Sequence, residues 1–265
     1  ATPAAFYAKV PSRGQYYDIS VQGLTGTILD FLGGGGFKRP NGEKDNPSKN
    51  LFELATESGW NYVNTNEGIR AISADSGRTL AIVPDIADSD SMQYEIDRLA
   101  KVEAGEDSLS LAEITAAAIR NLDNDNGFFL MVESGMIDKY AHLLDMERAV
   151  YDTIMLDNAV RLARDWARTR GDDTLILVVA DHGHSNSLVG TIDDDMSVTP
   201  NVPLRERVGV YEKAGFPNYP APDAEGYPSR VDVSRRLAIF SAALPDHYET
   251  FRPKLDDPNE PTVKG

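Results

Sequence analysis

Gly127-Phe128-Phe129-Leu130-Met131-Val132-Glu133-Ser134-Gly135-Met136-Ile137-Asp138-Lys139-Tyr140-Ala141-His142 changes character at Val132. Up to that point the residues are apolar and β-forming; beyond it come a carboxylate, a Ser-Gly step, a second carboxylate and an imidazole. This predicts a buried strand over Phe128 to Val132 that ends in ligand-type side chains. The pattern recurs at Thr174-Leu175-Ile176-Leu177-Val178-Val179, an apolar run followed by Ala180-Asp181-His182-Gly183-His184. Between the two, Leu144 to Arg168 places Met146, Val150, Leu156, Val160, Ala163 and Ala167 near a 3.6-residue period, which predicts a long helix. Strand, helix and strand make a βαβ unit whose crossover is right-handed. In open α/β sheets the ligand crevice lies outside the carboxyl ends of the strands, so both clusters are expected on one edge of the sheet.

Working outward, the upstream chain repeats the alternation. Thr2-Pro3 reads as an N-cap and first helical proline leading into Ala4 to Val10, and Tyr16 to Leu24 keeps a helical rhythm. Thr27 to Leu32 reads as a strand that ends in Gly33-Gly34-Gly35-Gly36. A phosphate cradle would need a Lys-Ser/Thr partner and an immediate helix; neither follows, so the glycines read as a turn at a strand end. Gly35 to Asn50 is a polar loop. Ser48 to Ser58 and Asn66 to Ser73 are predicted helices, and Asn61 to Asn64 and Thr79 to Val83 strands. Ser110 with Glu113 forms a capping box in a helix over Ser108 to Leu122, whose Leu111, Ile114, Ala118 and Leu122 share a face. The expected fold class is α/β, a three-layer sandwich with a mostly parallel central sheet and helices on both faces.

The character changes after Thr191. Asp193-Asp194-Asp195 and the prolines Pro200, Pro203, Pro217, Pro220, Pro222 and Pro228 indicate a long surface excursion broken by one short helix around Leu204 to Lys213. A strand-like run returns at Arg236 to Ala242, and the end, Arg252 to Gly265, is polar. The expected organisation is therefore an α/β core over residues 1–190 and a Pro-rich insertion or crown-like segment over 191–265 that returns to the sheet.

Composition bounds the chemistry. A chain of 265 residues with 41% hydrophobic and 26% charged residues suits a globular protein with a sizeable core. The net charge of −16 argues against a broad nucleic-acid surface, which needs a basic footprint. A phosphate substrate is still compatible with it, because a bound divalent cation reverses the local field. The chain has no cysteine, hence no disulfide framework and no thiolate chemistry. No run reaches the roughly 18 to 20 apolar residues of a membrane helix. Ala1-Thr2-Pro3-Ala4 lacks the basic and apolar regions of a signal peptide, and a start without Met suggests a piece of a longer or processed protein.

Asp138 and His142 stand four apart, so a helix from Ile137 onward turns both toward one metal. Glu133 would reach a different position and could serve a second ion. Asp181 and His182 are adjacent at a strand end and point apart, which suits a carboxylate between two metals and an imidazole on one of them. Mixed Asp/His ligation favours zinc, and an oxygen-only set such as Thr2 with Glu133 favours magnesium. Two metals about 4 Å apart clamp the attacking and leaving oxygens of an in-line phosphoryl displacement. An isolated Asp-x3-His is also a common helical ion pair. The joint pattern carries the weight, because His142, His182 and His184 are three of the four histidines, His247 being the other.

Ala-Thr-Pro-Ala-Ala from Ala1, Arg13 in its Ser-Arg context, the strand and glycines of Leu29 to Gly36, Glu133 to His142, and Ala180-Asp181-His182-Gly183-His184 resemble the alkaline phosphatase family, in that order and at compatible intervals. The resemblance covers roughly Ala1 to Val189. It implies a phosphomonoester hydrolase acting through a phosphoserine, with two zinc ions and one magnesium. Thr2 and Glu133 match magnesium ligands, Asp138 and His142 two ligands of the first zinc, and Asp181 and His182 two ligands of the second. Arg13 matches the guanidinium that grips two phosphate oxygens, and Lys139 a position that contacts the phosphate through water in some members. A homodimer and a periplasmic or secreted location follow by the same resemblance.

Departures are equally specific. The family's serine nucleophile in an Asp-Ser-Ala motif, its bridging Asp and the Asp directly before Ala1 have no counterpart in these 265 residues. The third histidine of the first zinc belongs in a His-Thr-Gly setting, which His247 in Pro245-Asp246-His247-Tyr248-Glu249 lacks. His184 is expected beside the phosphate or behind the ligands. The expectation is a fragment, inactive by itself. Alternatives are a phosphodiesterase, sulfatase or phosphoglycerate mutase relative of the same superfamily, or a non-catalytic metal-binding domain.

Overall fold

The structure, a computed structural model, describes residues 3–43, 46–87, 90–142, 145–171, 173–184, 186–192 and 236–241. It divides into two compact units, Ala1–Val179 and Ala180–Gly265. Thr2, His247 and the Pro-rich stretch expected over Pro200 to Pro228 lie outside the described residues.

The first unit opens with a 3-10 turn, Pro3–Phe6, where the Thr2-Pro3 signal predicts a longer helix. Helix α1 (Tyr16–Thr25) leads to strand β1 (Phe31–Gly34), so two of the four consecutive glycines belong to the strand itself. A small antiparallel pair, β2 (Gly42–Glu43) and β3 (Asn46–Pro47), precedes helix α2 (Leu51–Glu57). Asn50 caps α2, its side chain accepting from the amides of Phe52 and Glu53. Strand β4 (Asn61–Val63), helix α3 (Asn66–Arg70) capped by Thr65, and strand β5 (Thr79–Ile82) follow.

β1, β5 and β4 form a three-stranded sheet in that order, parallel throughout. Successive side chains of a strand point to opposite faces, and this alternation builds two cores. Leu80 of β5 joins Leu24, Leu51, Ala55 and Trp60 on the face covered by α1 and α2, with Leu32 and Tyr62 packed beside them. Ala81 joins Ile69, Ile72, Val83, Leu109, Ile114 and Ala117 on the other face, with Phe31 and Val63. Helices therefore cover both faces of a parallel sheet, as expected for the α/β class. The Trp60 indole N–H donates to the Leu24 carbonyl at 2.8 Å, so the one polar atom of this buried ring is satisfied.

Helix α4 (Glu95–Glu103) follows a loop over residues 83–94, and α5 (Leu111–Leu122) begins with the capping box at Ser110 and Glu113. Leu111, Ile114, Ala117 and Ala118 are buried. Short α6 (Met136–His142) and long α7 (Met146–Arg168) follow. On α7 the buried stripe is Ala149, Asp152, Met155 and Ala159, and Val150 is 46% exposed, so the helix is rotated from the face that its larger apolar residues mark out.

The two apolar runs that signal strands in the sequence are not part of any sheet among the described residues. Phe128 to Val132 instead lies along α7. Phe128 stacks at 5.5 Å on Trp166, Val132 packs against Met155, and Ser134 bonds to the Asp152 carbonyl. Leu175, Leu177, Val178 and Val179 are exposed. An apolar run specifies extended, burial-seeking backbone but not the neighbour that buries it.

In the second unit, β6 (Asn186–Ile192) pairs antiparallel with β7 (Arg236–Ser241), with a register irregularity between Leu188 and Gly190. The return run at Arg236 is thus a strand, in a two-stranded sheet. Among the described residues no helix is long and apolar enough to cross a membrane.

Candidate metal centre

α6 begins directly after Glu133-Ser134-Gly135, and its first turn carries Asp138. The four-residue spacing puts Asp138 and His142 on one face, with Asp138 Oδ1 and His142 Nε2 3.4 Å apart. Their side chains are 44% and 67% exposed, so both donor atoms can be reached from solvent. One hard carboxylate oxygen and one imidazole nitrogen on a rigid helical face make half of a tetrahedral zinc set. Glu133 is exposed just before the helix, and Ser134 beside it is tied down, its hydroxyl donating to the Asp152 carbonyl at 3.2 Å.

Contacts on the remaining sides of α6 fix that face. Ala141 is buried. Tyr140 meets Tyr94 edge-on at 4.5 Å, and the Arg148 guanidinium lies 5.4 Å from the Tyr140 ring centre. The Lys139 ammonium donates to the Ser91 hydroxyl at 2.8 Å. Arg148 also bonds to Asp145, the N-cap of α7, and that contact holds the Asp145 carboxyl below the usual range.

The second cluster sits in the other unit. The Asp181 Oδ1 accepts from the His182 amide at 3.1 Å, and its Oδ2 is 3.8 Å from His182 Nε2. The His182 and His184 rings lie 5.2 Å apart, near perpendicular. Asp181 and His182 are exposed, and His184 is half-buried. Arg13 is exposed in the turn ahead of α1, where the Ser12 hydroxyl accepts from the Gly14 amide at 3.2 Å. A cavity of about 440 Å³ between α4, α5 and α7 is lined by Arg98, Ser110, Met155, Asn158 and Arg161; none of the candidate ligands borders it.

Two features near α6 escape a sequence reading. Ser91 and Tyr94 belong to a loop with no motif, and only the folded chain brings them to Lys139 and Tyr140. Asp152 stands at a core position of α7 with both carboxylate oxygens buried. Burial pushes its carboxyl up to about 6, and the charges of Glu95 and Asp97 add to the rise. An acidic residue on an apolar stripe is the one signal that could have marked it.

A protein-family model described as alkaline phosphatase matches residues 1–208. The repressible alkaline phosphatase of Saccharomyces cerevisiae is 30% identical over 201 residues, which is 69% of this chain and 35% of that protein. Alkaline phosphatase H of Pseudomonas aeruginosa is 43% identical over 81 residues, 30% of this chain and 17% of the relative. Among solved structures, the alkaline phosphatase of Thermus thermophilus superposes with a TM-score of 0.59 at 32% identity, covering 73% of this chain and 39% of that one. A variant of the alkaline phosphatase of TAB5, described with Mg bound in its M3 site, gives 0.50 at 25% identity, covering 65% and 46%. The chain thus spans less than half the length of these relatives.

Proposed function

Because the chain belongs to the alkaline phosphatase family, we propose that it forms part of a metal-dependent phosphomonoester hydrolase that works through a phosphoserine intermediate. The observation that carries this reading is the Asp138–His142 pair, 3.4 Å apart on the exposed face of a helix that starts at the end of the Glu133 turn. Its donor chemistry fits zinc. Asp138 and His142 would hold one zinc, Asp181 and His182 a second, and Thr2 with Glu133 a magnesium. Bound there, the metals would supply Lewis acidity and a nucleophile activated at neutral pH.

The remaining work falls to the chain's own side chains. Arg13, with its planar fork of donors, would bind two oxygens of the phosphoryl group and balance charge that grows on them in the transition state. Lys139 adds a positive charge on the α6 surface, and its three donors leave room for a water-mediated phosphate contact beside the Ser91 bond. The nucleophilic serine would come from sequence other than these 265 residues, which hold no Asp-Ser-Ala motif. We propose a homodimer, exported to the periplasm or beyond, for the whole protein, with inorganic phosphate as product.

Assay of the 265-residue chain with a chromogenic phosphomonoester, zinc and magnesium tests the division of labour. No turnover is expected, while zinc uptake that depends on Asp138 is. Turnover that disappears in Asp181→Ala would refute the view that the nucleophile lies elsewhere, and absence of zinc uptake would refute the ligand assignment.

A further inference from the structure

Helix α6 is seven residues long. Isolated helices below about 12 residues are marginal in water, so the orientation of its ligand face depends on what the rest of the molecule holds it against. The loop between β5 and α4 provides that support, and its parts are unusually well tied.

The Asp85 carboxylate accepts from the Ser108 hydroxyl at 2.8 Å, from the Gln93 amide at 2.9 Å and from the Lys101 ammonium. Burial pushes the Asp85 carboxyl up, and these three bonds outweigh that effect and hold it below its usual range. Gln93 also donates to the Ile86 carbonyl, the Ala87 amide donates to the Ser91 carbonyl at 3.0 Å, and Ile86 pairs with Met92. The loop is thereby closed on itself. On its other side it is wedged against the glycine run that ends β1. A Cβ on Gly35 would lie 2.4 Å from the Ser91 carbonyl carbon and 2.7 Å from the Met92 nitrogen, so only glycine permits this approach. Ser91 is 4% exposed, and its hydroxyl receives the Lys139 ammonium. Tyr94, three residues on, meets Tyr140.

From these contacts we infer that Ser91 is a positioning residue, the seat that sets the orientation of the Asp138–His142 pair by anchoring Lys139. This rests on the reading of that pair as zinc ligands. A donor fixed by a buried hydroxyl leaves α6 little freedom to roll, and metal sites lose affinity when the groups behind their ligands are removed. The part that Gly35 plays in the glycine run is accordingly steric. Gly35 lets the end of β1 reach the loop that seats the helix.

The test uses the full chain and zinc itself, titrated against a competing chelator, with Asp138→Ala identifying the site. Ser91→Ala and Lys139→Met break the same bond from its two ends. Lys139 is on the surface, so the second variant folds even if the first does not. Each is expected to weaken zinc binding at the Asp138 site by about three- to tenfold, the double variant adding little to either one. In the metal-free chain each is expected to speed amide exchange over residues 136–142. Zinc affinity in both variants equal to that of the parent, or unchanged exchange over α6, overturns the seat while leaving the ligands standing. A parent chain that takes up no zinc overturns the ligand assignment itself, and the positioning role with it.

Discussion

The Ser134 hydroxyl donates to the backbone carbonyl of Asp152 at 3.2 Å, which fastens the turn carrying Glu133 to a residue whose own carboxylate is fully buried. The same helical position thus offers a useful main-chain acceptor and a costly side chain. Burial is the largest influence on that side chain, the Glu95 backbone amide offsets part of it, and the charges of Glu95 and Asp97 on α4 add to the rise.

Stability should therefore depend on pH in an unusual direction. The folded Asp152 carboxyl titrates at about 6, whereas an unfolded one titrates near 3.9. Between these values the folded state binds more protons, so this group's contribution to stability falls as pH rises from about 4 to 6 and stays lost above. The full difference is on the order of 3 kcal/mol. Asp152→Asn should be more stable than the parent at pH 8 by about 1–3 kcal/mol and indistinguishable from it near pH 4. Urea denaturation at the two pH values measures this; a gap that does not change with pH rules out the titration.

Gly35→Ala should destabilise the chain by roughly 1–3 kcal/mol, because the obstructing atoms are backbone and cannot swing away. Gly59→Ala provides the contrast. Gly59 has φ +82° and nothing within 4 Å of an added Cβ, so only the left-handed conformation is penalised, by about 1–2 kcal/mol. Thermal melts of the two variants measure these losses, and a Gly35→Ala chain as stable as the parent would mean that the loop carrying Ser91 and Met92 gives way.

Ser110→Ala removes the half of the capping box in which the Ser110 hydroxyl accepts from the Glu113 amide at 3.3 Å, and keeps the half in which the Glu113 carboxylate accepts from the backbone amide of residue 110 at 2.9 Å. A loss of about 1 kcal/mol is expected. Loss well under half of that in chemical denaturation would mean that tertiary contacts of α5 already fix its first turn.

Asp138→Ala and His142→Ala should each reduce zinc affinity at least tenfold yet leave metal-free stability within about 0.5 kcal/mol. The pair is exposed, and a surface ion pair contributes little to folding. Equal zinc uptake by parent and variants in equilibrium dialysis would remove both residues from the site.

What the sequence discloses follows from how local each signal is. The Ser110–Glu113 box, the strand-forming run from Thr79 and the four-residue Asp138–His142 spacing are all written within a few residues, and the box, strand β5 and the shared helical face appear as expected. Helix α4 starts at Glu95 behind Tyr94, which offers no side-chain cap, so no start signal marks it. Ser91 has no local signature at all, because its partners Gly35 and Lys139 are distant in sequence. The buried face of α7 differs from the one that periodicity marks, for a physical reason. Periodicity assumes that apolar residues face inward, while Asp152 occupies the buried stripe and Val150 and Ile154 are left outside.

The exposed run Thr174–Val179 has a practical consequence for anyone handling this polypeptide. Six consecutive residues carry no charge, proline or glycine, and four of them present more than half of their surface to water. Such a segment is a template for intermolecular β-pairing. Concentration, more than temperature, should govern how long the isolated chain stays monodisperse, and a single lysine introduced at Leu177 would act as a gatekeeper against fibre-like assembly.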